Sequence, residues 1–436
     1  MRRRRWSGAA PTGLPTHRDQ ALETIMDSPA DVTPFVIDPA GRDVLGEADR
    51  IRALGPVAAV EMPGGVRAWA VSDLGLLRRL LVDPRVSKDA YRHWPAWIRG
   101  EISSDWPLFP WVAARNMLTA YGPDHRRLRG LITSAFTARR VAALRPRIEA
   151  ITGDLLDELA DLPADRPVDL RERYTYRLPI QVICELFGIE DETTRGHVSR
   201  CVDVLFNIGK APDETLAAFS RLQEILRHLV AEKRERPGDD LSSGLIAARD
   251  DTAPLSEEEL VDTLGLFVSA GHETTVNLLG NAIVAMLTHR DQLDRVRGGD
   301  AGWEDVVEET LRHQAPVPNL PLRFVVEDVE IGDGVTLRAG EAILACYAAA
   351  GRDPRGHGRD ADRFDVTRAV KEHLAFGHGV HHCLGAPLAR LEAAVALPAL
   401  FARFPDLALA ADPDELLPLE SFVSNGYRAL PVRLTA

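Results

Sequence analysis

The residues best suited to chemistry lie together in one stretch of the sequence, from Phe376 to Gly385. Within it, Cys383 follows a loop that contains Gly377 and Gly379, and glycine lets a backbone bend tightly and approach a flat ligand closely. After Cys383, apolar residues recur at helical spacing, with Pro387 in a first turn, where proline is tolerated. The start of a helix offers unpaired N–H groups and a positive dipole end, and both favour a thiolate over a thiol. The sequence therefore predicts a low-pKa thiolate at Cys383.

Three interpretations of this cysteine are open. A buried structural cysteine is common, because free cysteine is among the most buried residue types. A zinc site would combine Cys383 with His378, His381 and His382, but zinc ligands usually come as spaced pairs, and the last two histidines directly precede the cysteine. A thiolate bound to haem iron is the third interpretation, because this ligand on one axial side favours oxygen activation.

A second group of polar residues lies inside an apolar helical pattern. Ser256, with Glu259 three residues later, predicts a capped helix start, and the pattern continues to about His289. In its middle, residues 270–275 have the sequence Ala-Gly-His-Glu-Thr-Thr. Glycine in a helix interior costs about 1 kcal/mol, and threonine hydroxyls can bend a helix by bonding back to a carbonyl. These residues predict a local opening that faces a ligand; the alternative is a packing glycine beside a solvent-facing Glu273.

Two charged pairs occur at helical spacing. Glu309 and Arg312 lie three residues apart, and an exposed pair of this kind contributes only about 0.2–0.5 kcal/mol. His125 and Arg129 lie four residues apart on one helix face, and a solvated basic face is the usual meaning of such a pair. Neither pair indicates a function by itself.

Taken together, these segments resemble the cytochrome P450 family. The stretch from Phe376 to Gly385 is similar to its haem-binding loop, F-G-x-G-x-H-x-C-x-G, at every fixed position. Residues 270–275 resemble the oxygen-activation motif of the family, and Glu309 with Arg312 resembles its E-x-x-R pair. The resemblance implies haem b with a Cys383 thiolate as the axial ligand of the iron. Within the family, the pattern is similar to soluble actinobacterial enzymes that hydroxylate macrolides, steroids and related natural products.

The resemblance also implies roles for individual residues. Thr274 and Glu273 would deliver protons during oxygen activation. Glu309 and Arg312 would form a buried structural network with Arg363. The residues implied to contact the cofactor, through its propionates or its ring, are His125, Arg129, Ala270, Gly271, Arg323, Phe376, Gly377, His381, Cys383 and Gly385. The residues implied to line the substrate pocket are Trp94, Trp97, Phe267, Ala270, Val317, Leu320, Phe422 and Val423.

The remaining pattern predicts the elements that position these residues. Residues 57–62 and 66–71 predict two strands around a Pro-Gly-Gly turn, and residues 74–81 predict a short helix. Residues 138–250 have apolar residues at helical spacing. The aromatic-rich residues 91–111 are interpreted either as a loop on the core or as a lid over the ligand. The expected fold is mainly α with a small antiparallel β region, and the resemblance places haem between the oxygen-activation helix and the cysteine loop.

The composition limits the class of protein. The chain has 436 residues, 45% of them hydrophobic, and no linker divides its middle, so residues 31–436 are expected to form one domain. Residues 1–30 are expected to be a disordered tail. The net charge of −13 argues against a general nucleic-acid binder. Four scattered cysteines fit a reducing compartment, and no apolar run approaches the roughly 20 residues that cross a membrane, so a cytoplasmic protein is expected, as a monomer.

The activity that the resemblance implies is monooxygenation, in which one oxygen atom of O2 enters a C–H bond of a sizeable hydrophobic molecule. Electrons would come from a separate ferredoxin and its NAD(P)H-dependent reductase, since no flavin or ferredoxin segment is visible in the sequence. Arg126, Arg127, Arg352 and Arg355 either form a basic docking patch for the ferredoxin or are scattered over the surface. The alternatives are a haem-thiolate peroxygenase or isomerase, a non-enzymatic haem sensor or carrier, and a zinc hydrolase.

Overall fold

The secondary structure is dominated by helices. The structure is a computed structural model, and it describes residues 32–163, 166–206, 210–248, 254–332 and 334–434. The tail expected over residues 1–30 lies outside the described residues. The α-helices are α1 (Val44–Ala53), α2 (Leu74–Val82), α3 (Ala90–His93), α4 (Pro95–Ile98), α5 (Phe109–Ala113), α6 (Gly122–Ala135), α7 (Ala138–Ala143), α8 (Arg145–Ala160), α9 (Arg177–Phe187), α10 (Glu192–Phe206), α11 (Pro212–Glu235), α12 (Leu241–Ala247), α13 (Glu257–Thr288), α14 (Arg290–Gly298), α15 (Trp303–His313), α16 (Tyr347–Gly351), α17 (Pro354–His357) and α18 (Ala386–Arg403).

The β region is small, as predicted. Its strands are β1 (Phe35–Val36), β2 (Val57–Met62), β3 (Val66–Val71), β4 (Val86–Ser87), β5 (Val168–Asp169), β6 (Asn319–Val325), β7 (Val329–Gly332), β8 (Val335–Leu337), β9 (Ala342–Cys346), β10 (Ala408–Leu409) and β11 (Pro431–Arg433). The main sheet has six strands in the order β1-β2-β3-β9-β6-β4. The β1–β2 and β3–β9 pairings are parallel, and the other pairings in the main sheet are antiparallel.

The hairpin of β2 and β3 has the predicted bounds. Its turn contains Gly64 and Gly65, with φ angles of 81° and 76°, a conformation that glycine adopts at no steric cost. A second irregularity lies in β6, where the register with β9 shifts between Leu320 and Arg323. Leu322 has a φ of 75° at this bulge, which is costly for a side-chain-bearing residue. The bulge sends both Leu320 and Arg323 to the wall of the internal cavity described below.

Helix α13 is the central element of the fold. Its first turn has the predicted capping box, in which Ser256 accepts from the N–H of Glu259 and Glu259 accepts from the N–H of Ser256. The helix has 32 residues and therefore spans about 48 Å. It packs on α9, α11, α15 and α18, within the largest hydrophobic cluster of the molecule. The cysteine loop, which directly precedes α18, faces the middle of α13 across this cavity.

Candidate active site

The loop before α18 holds the cysteine by backbone contacts. The N–H of Cys383 donates to the carbonyl of Phe376 at 2.8 Å, which closes the loop on itself. Gly377 and Gly379 have φ angles of 69° and 72°. A Cβ atom at Gly379 would lie 2.7 Å from Cγ1 of Val82 at the end of α2, so only glycine fits there. The loop is thus fixed between α2 and the start of α18.

The electrostatics of Cys383 differ from the prediction. Burial raises the pKa of its thiol, and the N–H groups of Gly385 and Ala386 and the charges of Arg129 and Arg390 only partly offset this effect. The predicted lowering of the Cys383 pKa is therefore wrong for the chain alone, because desolvation outweighs the helix start. A bound metal cation would nevertheless deprotonate a coordinating thiol. The Cys383 side chain is accessible because it borders the internal cavity.

The cavity extends from the cysteine loop to α13. It contains about 1580 Å³ of space free of protein atoms, counting its open end. From α13 it is lined by Phe267, Ala270, Gly271 and Thr274. From the opposite side it is lined by Phe376, Gly377, His381, Cys383 and Gly385. The structure therefore brings the two motifs of the sequence together around one space.

Thr274 presents its side chain to this space. Its Oγ1 donates to the carbonyl of Ala270 at 2.6 Å, and Oγ1 of Thr275 donates to the carbonyl of Gly271 at 3.1 Å. Helix α13 continues through this segment. A Cβ atom at Gly271 would lie 2.8 Å from Cδ1 of Ile183, so this glycine also allows α9 to pack closely. Gly271 therefore both lines the cavity and allows close packing of α9 against α13.

Glu273 lies behind the cavity wall. It is 3% exposed, and its carboxylate lies 3.5 Å from the guanidinium of Arg171. Burial raises its pKa to about 7, although the charge of Arg171 opposes this shift. The alternative of a solvent-facing glutamate is thus wrong. Its Oε2 atom has no hydrogen-bond partner among the described residues, so the carboxyl group can accept or donate one more hydrogen bond.

A group of basic side chains lies at one side of the cavity. Arg129, Arg323 and His381 line it, and the ring of His125 lies 4.1 Å from that of His381. Lys88, which the sequence did not single out, also lines the cavity. Within the described part of the chain, no carboxylate forms a hydrogen bond or an ion pair with any of them. Their surroundings therefore suit an anionic ligand.

Several of these groups have donor or acceptor atoms that the protein leaves unpaired. Nε2 of His125, Nε of Arg323 and Nζ of Lys88 are buried and have no hydrogen-bond partner among the described residues. Burial, together with the weaker effect of nearby positive charges, lowers the pKa of His125 to about 4. Burial also lowers the pKa of His381. A haem fits this arrangement, because it would supply carboxylates to the basic group, a flat ring to the glycine loop and a metal to the thiol.

The structure divides the predicted pocket residues into two sets. Phe267, Ala270, Val317 and Leu320 line the cavity. Trp94, Trp97, Phe422 and Val423 are not among the residues that line it, and they belong to the hydrophobic cluster on one face of the main sheet. The Trp94 ring stacks on Phe324 with centroids 5.0 Å apart, and the Trp97 ring lies 5.0 Å from Phe109.

This division corrects the lid interpretation of residues 91–111. The tryptophans of that segment mostly pack on each other and on the sheet, because these contacts bury their large apolar rings. Trp111 is the exception: it lines the cavity beside Phe206 of α10. The hydrophobic pattern of α9, α10 and α13 could not show which apolar residues face the cavity and which face the core.

The Glu309–Arg312 pair is fully buried. Arg312 makes two hydrogen bonds to Glu309, of 2.8 and 2.7 Å, and its remaining donors bind the carbonyls of Gly351, Ala361 and Arg363. The predicted third member is wrong in one respect. The Arg363 side chain is exposed, and only its backbone carbonyl takes part. The buried arginine side chain beside Glu309 is Arg368, at 3.5 Å.

Two further observations concern the alternatives. Among the described residues, no group of three or more His, Cys, Asp or Glu side chains is placed to hold a metal ion, so the zinc interpretation lacks a ligand set. In the same part of the chain, no helix is both long and apolar enough to span a bilayer.

Comparison with known proteins identifies the family. A family described as Cytochrome P450 matches residues 303–424. The chain is 44% identical to 2-hydroxy-5-methyl-1-naphthoate 7-hydroxylase of Streptomyces carzinostaticus, over 92% of this chain and 97% of that protein. It is 40% identical to 6-deoxyerythronolide B hydroxylase of Saccharopolyspora erythraea, over 88% of this chain and 94% of that protein.

Solved structures agree with this result. CYP154A1 from Streptomyces coelicolor A3(2) is 54% identical to this chain, and its structure superposes with a TM-score of 0.87. The match covers 92% of this chain and 100% of that one. Relatives at these identities and coverages share the family as well as the fold. The chain therefore belongs to the cytochrome P450 family, as a monooxygenase with a cysteine-ligated haem.

Proposed function

We propose that this P450 hydroxylates a sizeable, mostly apolar natural product, with electrons from a ferredoxin and its NAD(P)H-dependent reductase. The observation that carries this proposal is a second, apolar compartment that adjoins the cysteine cavity. The two spaces share five lining residues: Trp111, Leu118, Phe206, Leu266 and Ala270. A ligand that occupied both compartments would be much larger than the few atoms that react at the iron.

The relatives support this substrate class. Two of them are named for the hydroxylation of an aromatic naphthoate and of a deoxyerythronolide. Both names describe carbon-rich scaffolds, and the walls formed by Phe267, Val317 and Leu320 offer such scaffolds an apolar surface. The proposal is therefore a scaffold of this general type, held against α13 with one C–H bond near Thr274.

The cofactor in this proposal is haem b, with Cys383 as the ligand of its iron. When bound, a thiolate-ligated haem supplies the reductive activation of O2. The side chains of His125, Arg129, Arg323 and His381 would hold its propionates by charge-assisted or neutral hydrogen bonds. Gly377 and Gly385 would let the loop approach the ring, and Phe376 would offer it an apolar surface. The Phe376 ring also contacts the guanidinium of Arg390, which lies 4.6 Å from its centroid.

Glu273 and Thr274 act as the proton-delivery pair in this proposal. A carboxyl group with a pKa of about 7 is partly protonated at neutral pH, so it can both give up and regain a proton. Because Glu273 lies behind the wall, it passes the proton through the Thr274 hydroxyl or a water beside it. On the side of Glu273 that faces away from the cavity, its carboxylate is paired with Arg171. The Arg171 guanidinium lies 5.4 Å from the ring of Tyr176, and the Tyr176 hydroxyl donates to Asp203 at 2.6 Å.

The first experiment tests the thiolate. The purified holoenzyme, reduced under carbon monoxide, is expected to show the absorption maximum that is characteristic of thiolate-ligated haem. Cys383→Ser is expected to lose this band and the hydroxylation activity. Cys346→Ser is the matched control, since Cys346 is a buried cysteine whose weak contact to the Leu344 carbonyl a serine can keep. A Cys383→Ser variant that kept the band would contradict the proposed ligand.

The second experiment tests the substrate class. Macrolactones, steroids and fused aromatic acids are titrated into the ferric enzyme, and displacement of the iron-bound water is followed by difference absorbance. Binders are then incubated with ferredoxin, its reductase and NAD(P)H, and a product heavier by one oxygen atom is expected. If no such scaffold binds, or if peroxide alone sustains faster turnover than the ferredoxin system, the proposal is wrong.

A further inference from the structure

Lys88 is the buried cation whose placement the known activity leaves unexplained. It follows β4, and the antiparallel register of β4 with β6 pairs Ser87 with Phe324. The next position on each strand therefore places Lys88 alongside Arg323. Lys88 is 1% exposed, and it lines the cavity that contains Cys383.

The protein supplies no partner for this ammonium group. Its Nζ atom has no hydrogen-bond partner among the described residues, and no carboxylate in that part of the chain pairs with it. Burial lowers the pKa of Lys88 well below its usual value, and the neighbouring charge of Arg323 lowers it further. A buried ammonium without compensation is strongly unfavourable, so its retention points to an anion from outside the chain.

The other deeply buried lysine shows what an internal partner looks like. Lys233 is 9% exposed, and its Nζ atom lies 2.9 Å from Oδ2 of Asp240. Lys233 does not line the cysteine cavity. The buried ammonium group outside the cavity, that of Lys233, thus has a carboxylate partner within the chain, whereas that of Lys88 inside the cavity has none among the described residues.

We propose that Lys88 binds a propionate of the haem and is an anchor of the cofactor additional to His125, Arg129, Arg323 and His381. This assignment rests on the haem cofactor of the proposed function, but not on the substrate or the redox partner. Two haem carboxylates facing Lys88 and Arg323 together neutralise two adjacent cations that otherwise repel each other. Lys88 touches the cofactor rather than the reacting atoms, so its role is retention and electrostatic tuning.

The test compares Lys88→Met with Lys233→Met in the holoenzyme. Transfer of haem to excess apomyoglobin is expected to be at least about tenfold faster for Lys88→Met than for the wild type. The ferric–ferrous midpoint potential of Lys88→Met is expected to be more negative, because loss of a nearby cation disfavours the added electron. The propionate bending band in the resonance Raman spectrum is expected to shift in Lys88→Met and to stay in place in Lys233→Met.

A purely structural role would give a different pattern. Faster haem loss with an unchanged propionate band and midpoint potential would overturn the proposal, because destabilisation alone can release haem. Lys88→Arg keeps the charge and is expected to return the midpoint potential towards the wild-type value. If Lys88→Met does not accumulate with haem, Lys88→Gln carries the same test. A normal carbon monoxide band in these variants separates failure of this inference from failure of the thiolate assignment.

Discussion

Two buried glutamates near the cavity differ in what surrounds them. Glu273 is paired with Arg171, and its pKa is about 7. Glu392 of α18 lines the cavity, is 1% exposed and has no partner for its Oε2 atom among the described residues. Burial raises its pKa to about 8. Both acids should therefore be visible in pH dependence, one through catalysis and one through stability.

The Glu392→Gln variant should be more stable than the wild type at pH 8. The pKa of Glu392 in the folded protein, about 8, lies above its ordinary value of 4.5, so folding favours the protonated form. The stability of the wild type therefore falls as pH rises from about 4.5 to about 8. We expect a gain of about 1–3 kcal/mol for the variant at pH 8, and a much smaller one at pH 5. Melting curves of the holoenzyme at both pH values measure this difference.

Glu308→Gln is the control of opposite sign. Burial opposes ionisation of Glu308, but hydrogen bonds from Arg390 and His373 outweigh it and lower the pKa to about 2. This carboxylate stabilises the fold above pH 4.5, and the contribution is lost as pH falls towards about 2. Glu308→Gln should therefore be less stable than the wild type at pH 8. Equal pH responses in the two variants would contradict both assignments.

Replacing Glu273 should change the pH profile of turnover. Glu273→Gln removes a group that titrates near pH 7, so we expect product formation to fall by about 100-fold and to lose its inflection there. Spectral binding of a substrate should remain close to that of the wild type, because Glu273 does not line the cavity. Steady-state rates measured from pH 6 to pH 8.5 test this expectation.

Arg171→Gln gives a second measurement on the same group. The charge of Arg171 lowers the Glu273 pKa, so its loss should move the inflection to higher pH. An inflection that stayed in place in Arg171→Gln, or survived in Glu273→Gln, would show that another group titrates.

At the scale of elements, one buried arginine binds the segment that runs from the end of α16 through α17 to Arg363. Arg312 of α15 binds three backbone carbonyls between residues 351 and 363 and both oxygens of Glu309. A lysine has three donors on one atom and cannot span these positions, whereas the fork of a guanidinium can. Arg312 thus ties three carbonyls of this segment to α15, and one of them, that of Arg363, also accepts from Arg368 at 3.2 Å.

The neighbouring arginines provide a matched pair of variants. The Arg368 side chain is 8% exposed and lies beside Glu309, whereas the Arg363 side chain is exposed. We expect Arg368→Gln to destabilise the protein by about 1–3 kcal/mol, because a buried carboxylate loses charge compensation. Arg363→Gln should stay within about 0.5 kcal/mol of the wild type. Urea denaturation monitored by circular dichroism measures the stability of both variants. Equal losses of stability would contradict the conclusion that Arg368, and not Arg363, compensates the charge of Glu309.

The elements differ in how well the sequence predicts them. The β2–β3 hairpin and the capped start of α13 were predictable, because their turn and capping residues act locally. The position of Trp94 was not, since an aromatic side chain can bury itself against the sheet as well as against a ligand. Lys88 was missed because a single lysine after a short strand has no pattern; only the register with β6 places it beside Arg323.

At the scale of the molecule, the acidic net charge makes each free basic group important. Of the four arginines considered for a docking patch, Arg127 pairs with Glu259, Arg352 with Asp49 and Asp362, and Arg355 with Asp73 and Asp353. Arg126 is exposed, and no ion pair within the described residues involves it. Three of the four arginines are therefore already paired within the chain, which makes Arg126 the strongest candidate of the four for contact with the proposed ferredoxin.

Arg126→Glu should slow reduction by ferredoxin. We expect the second-order rate constant to fall about tenfold at low ionic strength, because electrostatic steering of an acidic partner is weakened. The difference should shrink at high salt, where charges are screened within about 3 Å at 1 M. Stopped-flow reduction of the ferric enzyme at two salt concentrations measures both effects. Reduction that was insensitive to salt and to this charge reversal would contradict docking at Arg126.

The small number of lysines and their burial determine which cross-linking chemistry can trap a complex of this enzyme with an electron donor. The sequence contains four lysines, and all of them lie among the described residues. The Lys210 side chain is 39% exposed, whereas those of Lys371 and Lys233 are 13% and 10% exposed and Lys88 is sealed inside. Carbodiimide coupling of an acidic electron donor to surface amines would therefore find few targets. Bifunctional reagents are the better choice for trapping such a complex, if one end is a dicarbonyl that reacts with guanidinium groups and the other end reacts with the partner protein.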